Sequence, residues 1–208
     1  MNDYAQKLAE LKQRDGHLLK EVGDQWRTPD ELYWGIYSQY GPFVLDLFSD
    51  GVNAKCPEFY TAEDNALSKD WAHHLSGRKA FANPPYSRAS YGCGMQAITG
   101  MRHIIDKTMA ERNLGGKFVY LIKSATSETW WPEEADSVHF IRGRVSFEAP
   151  EWFILANEKQ KPSGAAFAAA IAIFDKSYKG KRFDYVSRDE LYLHGKTLMN
   201  QFNLKAAA

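Results

Sequence analysis

The sequence predicts an α/β protein with a parallel sheet. Residues 118–122 are a continuous apolar run, and residues 43–48 are apolar except for one acid near the end, as is typical of strands that are buried on both faces. Apolar residues from Met95 to Met109 recur at helical spacing, and a short apolar strand at 80–82 precedes them. A strand–helix–strand order favours parallel pairing of 80–82 with 118–122.

Composition is that of a globular protein. The chain has 208 residues, 44% hydrophobic and 25% charged, which predicts one domain with a substantial core. The formal net charge is zero, so any nucleic-acid-binding surface must be local. The two cysteines, Cys56 and Cys93, have no metal-site spacing, and we expect no metal and a reducing cytoplasm. We expect no membrane span and no signal peptide.

The N-terminal region is expected to be a helical extension, 1–25. A partial apolar stripe at 1–22 predicts a helix, which Gly16 divides into two pieces.

A second helix is predicted at 29–40. Thr28 is a suitable N-cap, Pro29 suits the first helical position, and Glu31 completes a capping box. Because helix N-termini also bind anions, Thr28 could equally hold a carboxylate.

The strand at 43–48 carries an acid, Asp46, near its carboxyl end, where ligands of α/β sheets collect. Phe48 and the turn at 49–51 follow it. A short second strand at 57–61 precedes Glu63 and Asp64, which either accept hydrogen bonds from ribose hydroxyls or begin a helix.

The strand at 80–82 ends in Asn83-Pro84-Pro85-Tyr86-Ser87. The two prolines stiffen the backbone and lack N–H groups, so neighbouring carbonyl oxygens remain free. With the Asn83 amide oxygen and the Tyr86 ring, this corner is suited to a planar group that carries an NH2. An ordinary Pro-Pro turn is the alternative. Residues 87–94 form a polar loop, and Gly115-Gly116 ends the helix begun at Met95.

The second half contains three further features. Residues 123–132 are expected to pass from a loop into a short helix, whose Trp130 and Trp131 are structural or stack on a base. Residues 138–147 predict two strands with a bend or hairpin at Gly143. A polar segment, 148–164, precedes an apolar strand at 165–174.

Taken in order, these segments resemble the phage and prophage DNA N6-adenine methyltransferases, the Dam-like family. The resemblance covers about 26–174 and rests on Trp26-Arg27-Thr28-Pro29, Leu45-Asp46, Asn53-Ala54-Lys55-Cys56, Asp64-Asn65-Ala66-Leu67, Asp70-Trp71, Asn83-Pro84-Pro85-Tyr86-Ser87 and Gly143-Arg144-Val145-Ser146-Phe147. One departure is Phe48-Ser49-Asp50-Gly51, where many relatives carry a glycine-rich loop.

The resemblance implies a Rossmann-like class I methyltransferase fold. This fold has a mostly parallel sheet, a terminal antiparallel strand and helices on both faces, here as a single domain at 1–205. S-adenosylmethionine is the implied cofactor and DNA the implied partner, in the cytoplasm of a bacterial host. The implied cofactor residues are Trp26, Thr28, Asp46, Phe48, Glu63, Asp64 and Asn83.

The implied reaction is direct methyl transfer to adenine N6. Asn83 and Pro84 would accept the N6 hydrogens through carbonyl oxygens, and Tyr86 would stack on a base flipped out of the duplex. Segments 87–116 and 148–164 are candidate DNA-contacting insertions. The candidate DNA-binding residues are Pro85, Ser87, Arg142, Arg144, Lys159 and Lys161, although Arg144 could instead pair with an acid of the fold.

Three other functions remain open at this point. The same corner serves methyltransferases of protein glutamine, which usually carry a separate N-terminal substrate domain, and some that act on adenine in RNA. A non-catalytic binding protein of the same fold is the third. The motif alone does not distinguish DNA from RNA, and the sequence leaves the oligomeric state open.

Overall fold

A seven-stranded sheet forms the centre of the computed structural model, which describes residues 2–156 and 165–202. Its strands are β1 (Phe43–Asp46), β2 (Glu58–Phe59), β3 (Lys79–Ala82), β4 (Lys117–Lys123), β5 (Ser137–Arg142), β8 (Ala169–Phe174) and β9 (Phe183–Ser187). The two remaining strands, β6 (Val145–Phe147) and β7 (Ala165–Phe167), form a separate antiparallel pair.

The sheet order is β2-β1-β3-β4-β8-β5-β9. β3 and β4 pair in parallel, with Ala80 opposite Phe118, so the predicted parallel unit is confirmed. β8 is antiparallel to both of its neighbours and lies between β4 and β5. The antiparallel strand expected from the family is therefore present, inside the sheet rather than at its end.

Helices cover both faces, as predicted. The α-helices are α1 (Asp3–Lys12), α2 (Asp30–Tyr40), α3 (Trp71–Leu75), α4 (Met101–Asn113) and α5 (Arg188–Gln201), with 3₁₀ turns at Leu19–Glu21, Ala66–Ser68 and Cys93–Met95. Alternate residues of β4 point to opposite faces: Tyr120 belongs to the core with α3 and α4, and Leu121 to the core with α2 and α5. In the described part of the chain, no helix is long and apolar enough to cross a membrane.

Two glycines allow α2 and α5 to approach each other closely. A Cβ atom at Gly35 would lie 2.0 Å from the Leu191 carbonyl oxygen, and one at Gly195 would lie 1.8 Å from that of Glu31. Neither position has space for a side chain, so α5 lies directly on α2 and holds its position on the sheet.

Several predicted boundaries differ from the structure. The helix predicted from Met95 begins at Met101, because Gly100 has a φ of 108° and residues 90–99 fold back on themselves through Ile98 N to the Ser90 carbonyl. The helix expected within 123–132 is absent from this described segment, which forms turns. The apolar run at 165–174 divides into β7 and β8. β9 and α5 were not predicted, although Ser187 caps α5 by accepting a hydrogen bond from Glu190 N.

Other local predictions are confirmed. The N-terminal helix ends at Lys12, before Gly16, and a separate 3₁₀ turn follows. The chain bends at Gly143, which has a φ of 101°, and α4 ends just before Gly115-Gly116. The predicted domain end at residue 205 lies outside the described residues.

Candidate active site

Parallel pairing brings three strand ends to one edge of the sheet. Asp46 ends β1, Asn83 follows β3 directly, and Lys123 ends β4. Because these strands run in the same direction, the three residues share the carboxyl edge, where α/β folds bind their ligands.

A large cavity opens at this edge, which we call the strand-end cavity. Its volume is about 740 Å³, including space that is open to solvent. Its lining includes Trp26, Thr28, Asp46, Phe48, Ser49, Asp50, Asn53, Lys55, Tyr60, Thr61, Asn65, Asn83 and Pro85, together with Tyr4 and Leu8 of α1. The N-terminal extension therefore forms part of the cavity wall.

A second cavity, which we call the aromatic cavity, adjoins the first. Its volume is about 490 Å³, including space that is open to solvent, and its lining includes the aromatic residues Trp26, Tyr86, Phe147 and Phe167, with Pro84 and Lys123. Asp24, Trp26 and Asn83 line both cavities. The two cavities therefore meet at Asn83.

The orientation of the Asn83 amide follows from its hydrogen bond. Its Nδ2 donates to the Trp26 carbonyl oxygen at 3.1 Å. A carbonyl oxygen only accepts hydrogen bonds, so the amide nitrogen must face Trp26 and Oδ1 must face away. Within the described residues, neither Asn83 Oδ1 nor the Pro84 carbonyl oxygen accepts a hydrogen bond from the protein. Both acceptors remain available to a ligand.

Asp24 holds the backbone that follows the two prolines. One carboxylate oxygen accepts from Tyr86 N at 2.8 Å and the other from Ser87 N at 3.1 Å. These are the first two N–H groups after Pro84 and Pro85. No local sequence pattern marks the contact of Asp24, because 62 residues separate it from Tyr86.

Asp46 is a buried carboxylate in the wall of the strand-end cavity, as predicted for a ligand-binding acid. Its two oxygens accept hydrogen bonds from Phe48 N and Lys55 N. Burial raises the pKa of Asp46 from 3.8 to about 7, although these two hydrogen bonds oppose the change. A cationic ligand group beside Asp46 would favour its charged form.

Thr28 is not the helix cap that the sequence predicts. α2 begins at Asp30, and Pro29 occupies the cap position without a side-chain hydrogen bond. Glu31 does not complete a capping box and instead contacts Lys196 at 3.6 Å. Thr28 Oγ1 is buried at the strand-end cavity and has no partner among the described residues. The alternative reading, a ligand contact, is the one this geometry favours.

The loop after β1 replaces a glycine-rich turn with side-chain hydrogen bonds. Asp50 Oδ1 accepts from Val52 N and Asn53 N, while Ser49 Oγ accepts from Gly51 N. Gly51 has a φ of 88°, the positive value that this turn requires. The loop is compact with one glycine, and Phe48, the predicted cofactor contact, lines the strand-end cavity.

Glu63 and Asp64 do not reach the strand-end cavity lining, contrary to the ribose-binding prediction. Asp64 accepts hydrogen bonds from Thr61 N at 2.8 Å and Thr61 Oγ1 at 2.7 Å, which lower its pKa. Glu63 is exposed. Neither acid begins a helix, because Asn65 follows in a left-handed conformation. Asn65 itself lines the cavity, and its buried Oδ1 has no partner among the described residues.

Tyr86 lines the aromatic cavity, as its predicted role requires. Its hydroxyl accepts a hydrogen bond from Lys123 N at 2.7 Å, and burial raises its pKa. Trp130 contacts the Tyr86 ring with a centroid distance of 5.7 Å, and Trp131 stacks on Phe140. Neither tryptophan lines the aromatic cavity, so the structural reading of both is favoured.

The predicted DNA-binding residues are dispersed. Pro85 faces the strand-end cavity rather than the aromatic cavity, and Ser87 has a buried Oγ without a partner among the described residues. Arg142 and Arg144 are exposed at the bend after β5, and neither forms an ion pair within the described ranges. Lys159 and Lys161 lie outside the described residues.

His73 and His74 do not form a metal site. His74 connects the Tyr60 hydroxyl to Glu58, and His73 is exposed. Across residues 2–156 and 165–202, no group of three or more His, Cys, Asp or Glu side chains is arranged to hold a metal ion.

The chain is similar to several known proteins. YfdM of Escherichia coli (strain K12), named as a candidate methyltransferase, is 62% identical over 87 residues, which are 41% of this chain and 96% of that protein. The DNA N-6-adenine-methyltransferase of Escherichia phage T1 is 30% identical over 137 residues, 62% of this chain and 56% of the phage protein. A Listeria monocytogenes crystal structure, described as a candidate class I S-adenosylmethionine-dependent methyltransferase, has a TM-score of 0.38 and 12% identity, covering 97% of this chain and 78% of the other.

The family model of DNA N-6-adenine-methyltransferase (Dam) matches residues 15–198. That range includes β1 to β9 and every residue that lines the aromatic cavity. The chain belongs to the DNA N-6-adenine-methyltransferase (Dam) family, and with it to the enzymes that use S-adenosylmethionine to methylate adenine in DNA.

Proposed function

We propose that Asn83 and Pro84 catalyse methyl transfer to the N6 amino group of an adenine that is flipped out of DNA into the aromatic cavity. The position of Asn83 carries this proposal. It lies where the two cavities meet, with its amide nitrogen fixed on Trp26 and its oxygen free. An acceptor amine held there lies beside a donor bound in the strand-end cavity.

The donor side fits S-adenosylmethionine, which supplies an electrophilic methyl group when bound. Asp46 provides a buried carboxylate for an ammonium group. Thr28 Oγ1 and Asn65 Oδ1 are buried polar atoms that lack protein partners among the described residues. Buried polar groups are almost always hydrogen-bonded, so these two atoms support a polar ligand in the strand-end cavity. Trp26 and Phe48 add apolar surface.

The acceptor side fits a planar base. Asn83 Oδ1 and the Pro84 carbonyl oxygen each accept one N6 hydrogen, which increases the electron density on N6 and directs its lone pair toward the strand-end cavity. Asp24 holds this corner rigid through Tyr86 N and Ser87 N. The rings of the aromatic cavity exclude water from the base. The energetic contribution of these residues is positioning and electrostatics.

DNA contact outside the cavities is proposed for exposed basic residues. Arg144 lines a surface groove with Arg188 and Lys196, and Arg142 lies close by in sequence. These side chains are suited to phosphate contacts that orient the duplex without reading its sequence. From the sequence alone, we also propose phosphate contacts for Lys159 and Lys161, which lie outside the described residues. Cytoplasmic action in a bacterial host is proposed from the Escherichia coli and phage relatives.

A transfer assay with parallel acceptors tests the proposed function. The protein is incubated with S-adenosylmethionine that carries a labelled methyl group and with unmethylated DNA, RNA or protein. The DNA is then digested and its nucleosides are identified by mass. We expect N6-methyladenine in DNA. A label in RNA alone, or on glutamine in protein, would replace the DNA assignment, and no label with any acceptor would indicate a non-catalytic binding protein.

A further inference from the structure

A lysine ammonium lies between two rings of the aromatic cavity. Lys123 Nζ is 4.4 Å from the centre of the Tyr86 ring and 4.5 Å from the centre of the Phe167 ring. All three side chains line the aromatic cavity. The ammonium therefore covers the ring of Tyr86 on which a flipped adenine is proposed to stack.

The distances of the ammonium from the two rings set an upper limit on the spacing of the rings. The ring centres can be separated by no more than the sum of the two nitrogen–ring distances. A base with an aromatic ring on each face requires roughly 7 Å between the rings, because carbon atoms in contact are about 3.5 Å apart. Because the ammonium lies over one face of each ring, a base stacked on either of these faces would take its place; we call this space the Tyr86–Phe167 slot.

The attachment of Lys123 allows its side chain to leave the slot. Its backbone N–H is fixed on the Tyr86 hydroxyl at 2.7 Å, so the residue remains beside the cavity. In the described ranges, no carboxylate forms an ion pair with Nζ. The ring faces are thus its principal attraction there, and this cation–π attraction is weaker than the pairing of an ammonium with a phosphate.

We propose that Lys123 fills the Tyr86–Phe167 slot in the DNA-free enzyme and that the flipped adenine displaces it onto a DNA phosphate. Phe167 is then the second stacking wall for the base, opposite Tyr86. The inference rests on the proposed function, because it takes the aromatic cavity as the adenine pocket. Lys123 is a substrate-binding residue in this scheme, with no part in the methyl transfer itself.

The salt dependence of DNA binding tests the displacement. Affinity for a duplex is measured from 50 to 200 mM salt in the presence of S-adenosylhomocysteine, for the wild type and for Lys123→Met. Each phosphate contact contributes about 0.9 to the slope of log affinity against log salt. We expect Lys123→Met to lose about one such contact, and Lys123→Arg to keep it because the cation is retained.

Two further variants separate charge from stacking. Lys176→Met is the matched control. Lys176 is exposed and follows the end of β8 at Phe174, whereas Lys123 pairs with the start of β8 at Ala169. This substitution should leave the slope unchanged. Phe167→Leu should weaken binding roughly fivefold or more without changing the slope, since base–aromatic stacking carries no counterion. Calorimetry with S-adenosylmethionine checks that each variant is folded, and Lys123→Gln replaces the Met variant if that one fails.

An unchanged slope in Lys123→Met, or in Lys123→Gln in its place, would overturn the displacement. If the wild type nevertheless methylates DNA, this unchanged slope would leave the proposed function intact. If the wild type transferred no methyl group to DNA, the proposed function itself would be contradicted. An unchanged affinity in Phe167→Leu would remove Phe167 as the second wall.

Discussion

Asp46→Asn is the substitution that examines the strand-end cavity most closely. The change keeps the size of the side chain and removes its negative charge. In the ligand-free protein, Asp46 is buried and its pKa is raised from 3.8 to about 7. A bound ammonium group would favour the charged carboxylate, so cofactor binding should require its deprotonation.

The magnitude follows from the pKa. Below about pH 7, wild-type affinity should fall by tenfold per pH unit, because Asp46 must first lose its proton. Between pH 7.5 and pH 5.5 this amounts to a loss of roughly 25-fold. The α-amino group of the ligand, with an ordinary pKa near 8, remains largely charged over this range. The Asn variant should bind more weakly at pH 7.5 and show a nearly flat profile.

As pH rises, the stability of the ligand-free protein falls, whereas its affinity for the cofactor increases. A raised carboxyl pKa contributes stability that is fully present below the unfolded value of 3.8 and lost as pH rises through about 7. A rise in pKa from 3.8 to about 7 corresponds to roughly 4 kcal/mol in the free energy of unfolding of the ligand-free protein. The Asn side chain has only one acceptor oxygen for Phe48 N and Lys55 N, so one N–H group loses its partner. This loss lowers the stability of the variant by about 1–3 kcal/mol at all pH values. The variant should therefore have the flatter dependence of stability on pH.

Calorimetry with S-adenosylmethionine and thermal unfolding of the ligand-free protein, both from pH 5.5 to 7.5, measure the two effects. A wild-type affinity that does not change with pH would refute the assignment of Asp46 to the ammonium group. So would an Asn variant with the same pH profile as the wild type.

Two other residues give separate predictions. Asp24→Asn leaves one acceptor oxygen for Tyr86 N and Ser87 N, and the loss of one hydrogen bond to a charged group, about 1.5–3 kcal/mol, should lower kcat roughly tenfold or more at saturating cofactor. A kcat equal to that of the wild type would show that Asp24 does not position the corner. Thr28→Val removes a buried, unpartnered hydroxyl at nearly constant volume. The Kd of the variant for the cofactor should rise about fivefold, equivalent to the loss of one hydrogen bond, and its ligand-free stability should equal or exceed that of the wild type. Calorimetry measures the Kd and thermal unfolding measures the stability. An unchanged Kd would exclude a hydrogen bond between Thr28 and the cofactor.

The sequence was most informative where a strand and its terminal residue are contiguous. Asp46 after β1 and Asn83 after β3 were predicted at the ligand edge, because parallel strands place their carboxyl ends together. The Asn83–Tyr86 corner is similarly local, since its two prolines determine the backbone on their own.

Contacts between distant segments were not predictable in this way. Asp24 reaches Tyr86 N across 62 residues, and Phe167 reaches Lys123 from the separate β6–β7 pair. Thr28 is a residue type that often caps helices, but α2 begins two residues later, at Asp30, and the Thr28 hydroxyl lies at the strand-end cavity instead. Glu63 and Asp64 were predicted to reach a ribose, but neither lines the strand-end cavity, and Asp64 accepts two hydrogen bonds from the nearby Thr61. For α5, a usable signal was present in Ser187 and Glu190.

Whether Asn83 orients the adenine amine is measured with Asn83→Ala. The variant removes Oδ1 together with the Nδ2 hydrogen bond to the Trp26 carbonyl, and it keeps every other residue that lines the strand-end cavity. Labelled-methyl transfer to DNA should fall by at least roughly 100-fold, the cost of losing one electrostatic contact to a transition state, while cofactor affinity measured by calorimetry stays within about threefold. Transfer at the wild-type rate, with N6-methyladenine as the product, would show that Asn83 does not orient the amine.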